Sequence, residues 1–341
     1  MENATGSNVI PVEYSLKDTI GLALSRTPVS AIPLEKQQVV WVNSRSTVGE
    51  VLALLSQHRI LSCPVWEPSS NQCLGFVSMI DMVALLLTLA EHLGPSFARS
   101  PPQGRDVSVE EEVRLEEQRR LWRTQQARNV VDLSRRNPIV PLEYDSSLKD
   151  AIQLLVQGIH QVPVLTRNRD GIQSILSQFL LVKYFSEHMD MFGDKPKLTV
   201  QQIMESWSKP VVSIEEDERV IDALRMIRDM YVSAVAVVDH QKRIVGVISA
   251  SDMPNLAPDA GLNHLLYTSC KDFIKRARSS NQLVVPKVVS CTPTETLGMV
   301  VQKAVDNRVH RVFVVTSHSG LSKDILIGIL SLRDILLELA C

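Results

Sequence analysis

Four short stretches of the chain carry a serine three residues ahead of one position: GFVSMIDM (75–82), SILSQFLL (174–181), GVISASDM (246–253) and GILSLRDI (328–335). That position is Asp81, Asp252 and Asp334 in three of them and Leu180 in the other. Serine followed by an acid three residues on is a variant of the capping box, in which hydroxyl and carboxylate satisfy free N–H groups where a helix starts. The acid also sits at the positive end of the helix dipole. For a single copy this needs no ligand. Four copies say more, because all keep the serine (Ser78, Ser177, Ser249, Ser331) while one gives up the acid. A cap tolerates that loss. An acid that binds a ligand predicts that one of the four sites is unused. The serines therefore read as shared caps and the acids as candidate ligand groups.

The elements that position these residues recur in one order, and internal repeats decide a fold before anything else does. In the fourth copy VVSCTP is a short β-rich run, TETLGMVVQKAVDNR has helical period, VHRVFVVT is a second strand, and ILIGILSLRDILLEL passes from strand to helix. The first copy has VVWVN, TVGEVLALLSQHR, CPVWE and LGFVSMIDMVALLL; the second has IVPLE, SLKDAIQLLVQG, QVPVLT and SILSQFLLVKYF. The third has VVSIEED, RVIDALRMIRDMY, AVAVVD and IVGVISASDMPNLA. Apolar residues at i, i+3 and i+4 mark the helices, as in Val48, Val51, Leu52 and Leu55 or Val220, Ala223, Leu224 and Ile227. Short Val/Ile-rich runs between polar turns mark the strands. Each unit is β-α-β-β-α, which makes the fold class α+β, and a unit this small must bury its sheet against another.

The spacing between the four aligned positions is 99, 72 and 82 residues. The longest gap holds a Pro/Gly/Ser-rich loop, GPSFARSPPQGRD, and then VSVEEEVRLEEQRRLWRTQQARN. Glu110–Arg114 and Glu116–Arg120 at i, i+4 predict a solvated helix there, a connector or a partner-facing element. The expected divisions are an N-terminal segment (1–28), repeat 1 (29–93), a linker with the charged helix (94–136), and repeats 2 (137–192), 3 (193–260) and 4 (261–341).

Composition narrows the function classes. With 45% apolar and 22% charged residues among 341, the chain has the make-up of a soluble globular protein. A net charge of -2 argues against a nucleic-acid binder or a polybasic membrane anchor. The start of the chain shows no basic-then-apolar leader, and MVALLLTLA is too short to span a bilayer, which takes about 20 residues. A cytoplasmic or nuclear location is expected, and the Asn3-Ala4-Thr5 sequon carries no weight there. Five cysteines without CxxC spacing suit a reducing compartment and give no metal site.

Taken together, these four units with a GhhSxxD junction resemble cystathionine-β-synthase (CBS) repeats paired into two Bateman modules. CPVWE, HQVPV, VSAVAVVD and VHRVFVV, with ETLGMVV and LEEQRRLW, are similar to the γ regulatory subunit of AMP-activated protein kinase and its plant sucrose-non-fermenting-related and yeast counterparts. The resemblance implies a flat disc of two modules with adenine nucleotides (AMP, ADP or ATP) converging at its centre. It implies that Asp81, Asp252 and Asp334 bind ribose hydroxyls, since a carboxylate accepts two donors at once through charge-assisted bonds. Leu180 has no carboxylate, so at most three nucleotides are expected. For the phosphates it implies His160, His310 and Arg311, with Lys183, Thr294 and Ser331 around them. Leu61 and Gln161 stand where that family carries basic groups. EEDE (215–218) stands where it carries threonines, and opposes an anion if those carboxylates face it. The fourth repeat keeps the whole set, Thr294, Thr296, His310, Arg311, Ser331 and Asp334, and is the site expected to be occupied.

No enzyme is expected: repeats fill nearly the whole chain, and neither GxxxxGK[ST] nor HExxH occurs. The leading expectation is a regulatory γ-type subunit of a heterotrimeric Ser/Thr kinase, partnered by a catalytic α and a scaffolding β subunit. Two alternatives stay open: a γ-like scaffold indifferent to nucleotide, favoured by Leu61, Gln161, Leu180 and EEDE, and a free-standing tandem-CBS protein binding another adenosyl ligand such as S-adenosylmethionine.

Overall fold

The computed structural model describes residues 16–34, 39–92, 109–169, 171–206, 210–256, 268–279, 288–316 and 324–340. The N-terminal sequon and the whole Pro/Gly/Ser loop lie outside them. Repeat 1 comprises β1 (Val42–Asn43), α2 (Val48–His58), β2 (Ser62–Glu67), β3 (Gln72–Ser78) and α3 (Met79–Glu91), preceded by α1 (Leu16–Arg26). After α4 (Val109–Thr124), repeat 2 has α5 (Leu148–Val156), β4 (Gln161–Leu165), β5 (Ile172–Ser177) and α6 (Gln178–Ser186). A short helix α7 (Val200–Ser206) leads into repeat 3, which has β6 (Ser213–Glu215), α8 (Val220–Asp229), β7 (Ala234–Val238), β8 (Ile244–Ser249) and α9 (Met253–Leu256). Helix α10 (Cys270–Ser279) leads into repeat 4: β9 (Ser290–Cys291), α11 (Leu297–Asp306), β10 (Arg311–Thr316), β11 (Ile325–Ser331) and α12 (Leu332–Ala340).

In repeats 1, 3 and 4 the first strand runs parallel to the second and the third is antiparallel to it. The expected first strand of repeat 2, IVPLE, is reduced to one bridge from Leu142 to Val164. Pro138 and Pro141 lack the N–H groups a longer ladder needs. The hairpins share one register. Ser62, Gln161, Ala234 and Arg311 stand opposite Ser78, Ser177, Ser249 and Ser331, and every hairpin has a bulge at the same step. Leu61, His160, Ser233 and His310 are therefore structural equivalents, each one residue ahead of that pair.

Each repeat's lead-in crosses to its neighbour. Pro28, ahead of repeat 1, bridges Ser147 of repeat 2, and Gln126, ahead of repeat 2, bridges Thr47 of repeat 1. Thr199 bridges Thr296 and Ser269 bridges Arg219, so repeats 3 and 4 exchange lead-ins in the same way. The glycine that opens each motif makes room for the crossing chain. A Cβ on Gly328 would stand 2.7 Å from Met204 Cε, one on Gly75 would meet Val131, and one on Gly246 would meet Ile274. Repeat 2 has Ser174 at this place, fully buried.

The apolar cores join the two exchanged pairs. One core packs α3 against α8, through residues such as Val83, Leu86, Val220 and Leu224; another packs α6 against α11 and α12, through Leu181, Phe185, Val300 and Ile335. A small third cluster, Ala234, Ala236, Val247 and Phe313, lies between the sheets of repeats 3 and 4. Contacts thus run from repeat 1 to 2, 2 to 4, 4 to 3 and 3 back to 1, which closes the expected disc. Helix α4 is more than a solvated connector: Leu115 and Trp122, each 1% exposed, seat it in the core of repeat 1. Its Glu116 pairs with Arg119 at 3.0 Å, at i+3 rather than with Arg120.

Candidate functional site

The capping box forms at all three acidic junctions and uses half of each carboxylate. Asp81 Oδ2 accepts from the Ser78 amide (2.8 Å) and hydroxyl (2.6 Å). Asp252 Oδ2 accepts from Ser249 at 2.7 and 3.1 Å, and Asp334 Oδ2 from Ser331 at 3.0 and 2.7 Å. In repeat 2 only the serine half remains, Ser177 Oγ accepting from the Leu180 amide at 3.2 Å. The acids are part of the cap after all: Oδ2 is committed to it in each, and Oδ1 is the second oxygen.

That second oxygen differs from repeat to repeat. Asp81, 0% exposed, has Oδ1 taken by the amide (2.8 Å) and hydroxyl (2.6 Å) of Ser134 in the linker. Asp252, 1% exposed, has no donor to Oδ1 among the described residues. Burial pushes its carboxyl up to about 7, against the opposing pull of the Ser249 bonds and the Arg311 charge. Asp334 is buried as well.

Basic and aromatic groups from three repeats converge near Asp252. Arg311, at the start of β10, donates to Ser233 Oγ of repeat 3 at 2.7 Å. Burial lowers its guanidinium to about 10, partly offset by Asp252, so it stays charged at neutral pH. His310 beside it has its ring centre 6.1 Å from that of Phe179 in repeat 2. Burial, with the Arg311 charge and His160, pushes its imidazole down to about 4. His160 is lowered for the same first reason, then by the charges of Arg136 and Arg311, against a Gln178 hydrogen bond. Both histidines are neutral at pH 7, held so first by burial and then by the arginine charges. Arg333 reaches across from repeat 4 to donate to the Val156 carbonyl at 2.5 Å.

Of the other candidates, Ser331 stands opposite Arg311 in the hairpin and Gln161 follows His160. Lys183 is exposed on α6, and Thr294 is exposed with its hydroxyl 3.1 Å from that of Thr292. Thr296 caps α11 and Ser331 caps α12. Gln161 accepts from Ser62 Oγ, an uncharged counterpart of the Arg311–Ser233 link. Leu61 packs against the first core. Two acids of the run are paired with lysines, Glu215 with Lys242 and Glu216 with Lys271, both at 3.0 Å, and Asp217 lies 3.0 Å from His240.

Sequence reasoning missed Arg136 and Ser134, which lie in the segment that leads into repeat 2, ahead of its helix α5. Arg136 is buried and donates to the carbonyls of Ile227, Arg228 and Val232 at 2.7 to 2.9 Å, capping α8 from across the ring. A paired Arg135-Arg136 ahead of Asn137-Pro138 was its visible signal. Among the described residues no group of three His, Cys, Asp or Glu side chains could hold a metal ion, and no helix is long and apolar enough to cross a membrane.

Comparison with known proteins agrees with this architecture. The profile of the CBS domain matches residues 29–88, 130–187, 200–254 and 281–341, once per repeat. Protein sds23 of Aspergillus niger is 34% identical over 194 residues, covering 55% of this chain and 38% of its own length. Protein SDS23 of Kluyveromyces lactis is 25% identical over 338 residues, covering 91% of this chain and 61% of its own. The chain thus spans between 38% and 61% of the length of these curated relatives. Among solved structures, protein MJ1225 of Methanocaldococcus jannaschii, a proposed archaeal homologue of the γ subunit of AMP-activated protein kinase, has a TM-score of 0.67 at 15% identity. That match covers 91% of this chain and 99% of the archaeal one. With four profile matches falling on four repeats of one register, the chain belongs to the CBS-domain family, its four domains joined in two lead-in-exchanged pairs.

Proposed function

We propose that the chain is a non-catalytic regulatory subunit that binds an adenine nucleotide at the centre of its ring. The observation that carries this reading is that Asp252 of repeat 3, with no donor to Oδ1 among the described residues, lies within the field of the charged, buried Arg311 of repeat 4. Asp252 Oδ1 is suited to ribose hydroxyls, and Arg311 with His310, His160 and Arg333 to phosphate. Asp334 is the second ribose candidate. Burying an anion requires a paired charge, and Arg311 supplies one that is itself desolvated. Phosphate would also draw protons onto the two imidazoles, since its charge favours their charged forms and offsets the arginines that, after burial, disfavour them.

The finer reading is a γ-type subunit of an energy-sensing heterotrimeric Ser/Thr kinase, with catalytic α and scaffolding β partners. The order of the four repeats and the likeness to MJ1225 support it. Nucleotide would alter the kinase only through unequal affinity for its active and inactive arrangements. One set of observations favours a second reading, a scaffold of the same fold indifferent to nucleotide. Repeats 1 and 2 present a spent Asp81, Leu180 and the uncharged Ser62–Gln161 link.

Calorimetric titration of AMP, ADP, ATP and S-adenosylmethionine into the chain separates these. Binding that Arg311→Gln weakens by about tenfold or more, the value of one charge-assisted bond, supports the nucleotide reading. If none of the four binds, only the scaffold remains. Co-purification of kinase subunits with the chain tests the finer reading.

A further inference from the structure

We propose that linker residues 131–137 are a built-in occupant of repeat 1's ligand position, Ser134 bringing to Asp81 the two donors that a ribose diol would bring. A carboxylate offers about four lone-pair positions. Ser78 takes two on one oxygen and Ser134 two on the other, all at 2.6 to 2.8 Å. Nothing is left for a ligand hydroxyl. The same motif in repeat 3 keeps Asp252 Oδ1 without a donor among the described residues, so saturation comes from the strap and not from the motif.

The strap is built to stay. Val131 occupies the space that Gly75 leaves above β3, and the Asp132 amide donates to the Phe76 carbonyl at 3.0 Å. Asp132 and Arg135 both adopt left-handed backbone, with φ of 43° and 56°, a conformation that costs energy and persists where neighbours enforce it. Asn137 supplies that enforcement twice. Its amide donates to Asp132 Oδ1 at 2.8 Å, closing the loop, and its side chain donates to Ser78 Oγ at 3.0 Å. Arg136 then pins the strap to repeat 3 through the α8 carbonyls, its guanidinium 4.8 Å from the centre of the Tyr231 ring.

The strap thus does two jobs at once: it fills one ligand position and ties repeat 1 to repeat 3 across the ring. Its consequence for stoichiometry is that repeat 1 takes no nucleotide, which leaves Asp252 and Asp334 as the acids that can. This count rests on the nucleotide reading above; the strap itself does not.

The test pairs ATP calorimetry with hydrogen exchange of the segment containing Ser134, on the full chain and on Asp81→Ala and Asp252→Asn. Asp81→Ala should bind as many equivalents of ATP as the parent, with Kd within about threefold, while the Ser134 segment loses protection. Asp252→Asn should lose about tenfold or more in affinity with that protection unchanged. Loss of one equivalent of ATP in Asp81→Ala overturns the proposal, and so does a Ser134 segment that exchanges equally fast in parent and variant. If the parent binds no ATP, the nucleotide reading fails and hydrogen exchange still decides the strap. Should Asp81→Ala not fold, Ser134→Ala, which removes one donor and keeps the amide, is read by the same two measurements.

Discussion

Replacing Asp252 by asparagine should stabilise the unliganded protein at neutral pH, although the residue lies at the proposed site. Its carboxyl sits near 7 in the fold, against an ordinary value of 3.8. A folded value raised in this way favours the fold below pH 3.8, and that contribution is lost as pH rises to 7. At about 1.4 kcal/mol per pH unit, the ionised group costs the fold on the order of 4 kcal/mol. His310 works in the opposite direction: lowered from 6.5 to about 4, it favours the fold above 6.5 and loses that contribution as pH falls to 4. Over the shared window the two slopes oppose, and the parent's stability changes little from this pair. Asp252→Asn keeps the shape and removes one slope. Weaker bonds from Ser249 cost about 1 kcal/mol, so a net gain of about 3 kcal/mol is expected at pH 7.5, shrinking towards zero near pH 4. Urea denaturation of parent and variant at several pH values between 4 and 7.5 measures it. Parallel stability curves, or a variant less stable than the parent at pH 7.5, would refute the reasoning. Only the parent, for its part, should bind nucleotide tightly.

Three further substitutions probe the frame around the site. Gly75→Ala drives a Cβ into Val131 at a φ of +146° and should cost about 1–3 kcal/mol in urea denaturation; a neutral result would mean that the crossing linker is not seated there. Arg136→Lys should destabilise by roughly 3 kcal/mol, because an ammonium cannot serve three carbonyls in the guanidinium's plane, and stability close to the parent's would remove Arg136 as the pin between repeats 1 and 3. Trp122→Ala should cost about 3–5 kcal/mol if α4 belongs to the core of repeat 1, and well under 1 kcal/mol if it is the solvated connector its charges suggest.

What was legible in the sequence is what repetition writes. Four copies of one pattern gave the order of elements, and the shared register and bulge place Leu61, His160, Ser233 and His310 at one structural position. The role of the opening glycine was not legible, because its reason is a side chain from another repeat: Val131, Ile274 or Met204. Helix α4 was misread for a related cause. Two deeply buried residues, Leu115 and Trp122, suffice to seat it, and sixteen residues dominated by charge conceal so thin a stripe. At the site, the acids were found but their states were not. Nothing in GFVSMIDM says that Ser134, 53 residues on, will bond Asp81, and nothing in GVISASDM says that Asp252 lacks such a donor.

Capping and binding were posed as alternatives for each acid, and the geometry makes them parts of one device. The cap fixes Oδ2 against the helix start in every repeat that has the acid, which removes a degree of freedom from the carboxylate. What then distinguishes the repeats is what meets Oδ1. In repeat 1 the chain meets itself through Ser134; in repeat 2 the oxygen does not exist; in repeat 3 it lies buried within the field of Arg311. A buried acid with an unused oxygen is unfavourable for the fold, and Ser134 relieves that in repeat 1 with two hydrogen bonds. Repeat 3 leaves the cost standing beside a desolvated arginine, two neutral imidazoles and Phe179. A ligand carrying both a diol and a phosphate would offset that cost on both sides at once, which is the physical argument for the nucleotide reading over the scaffold.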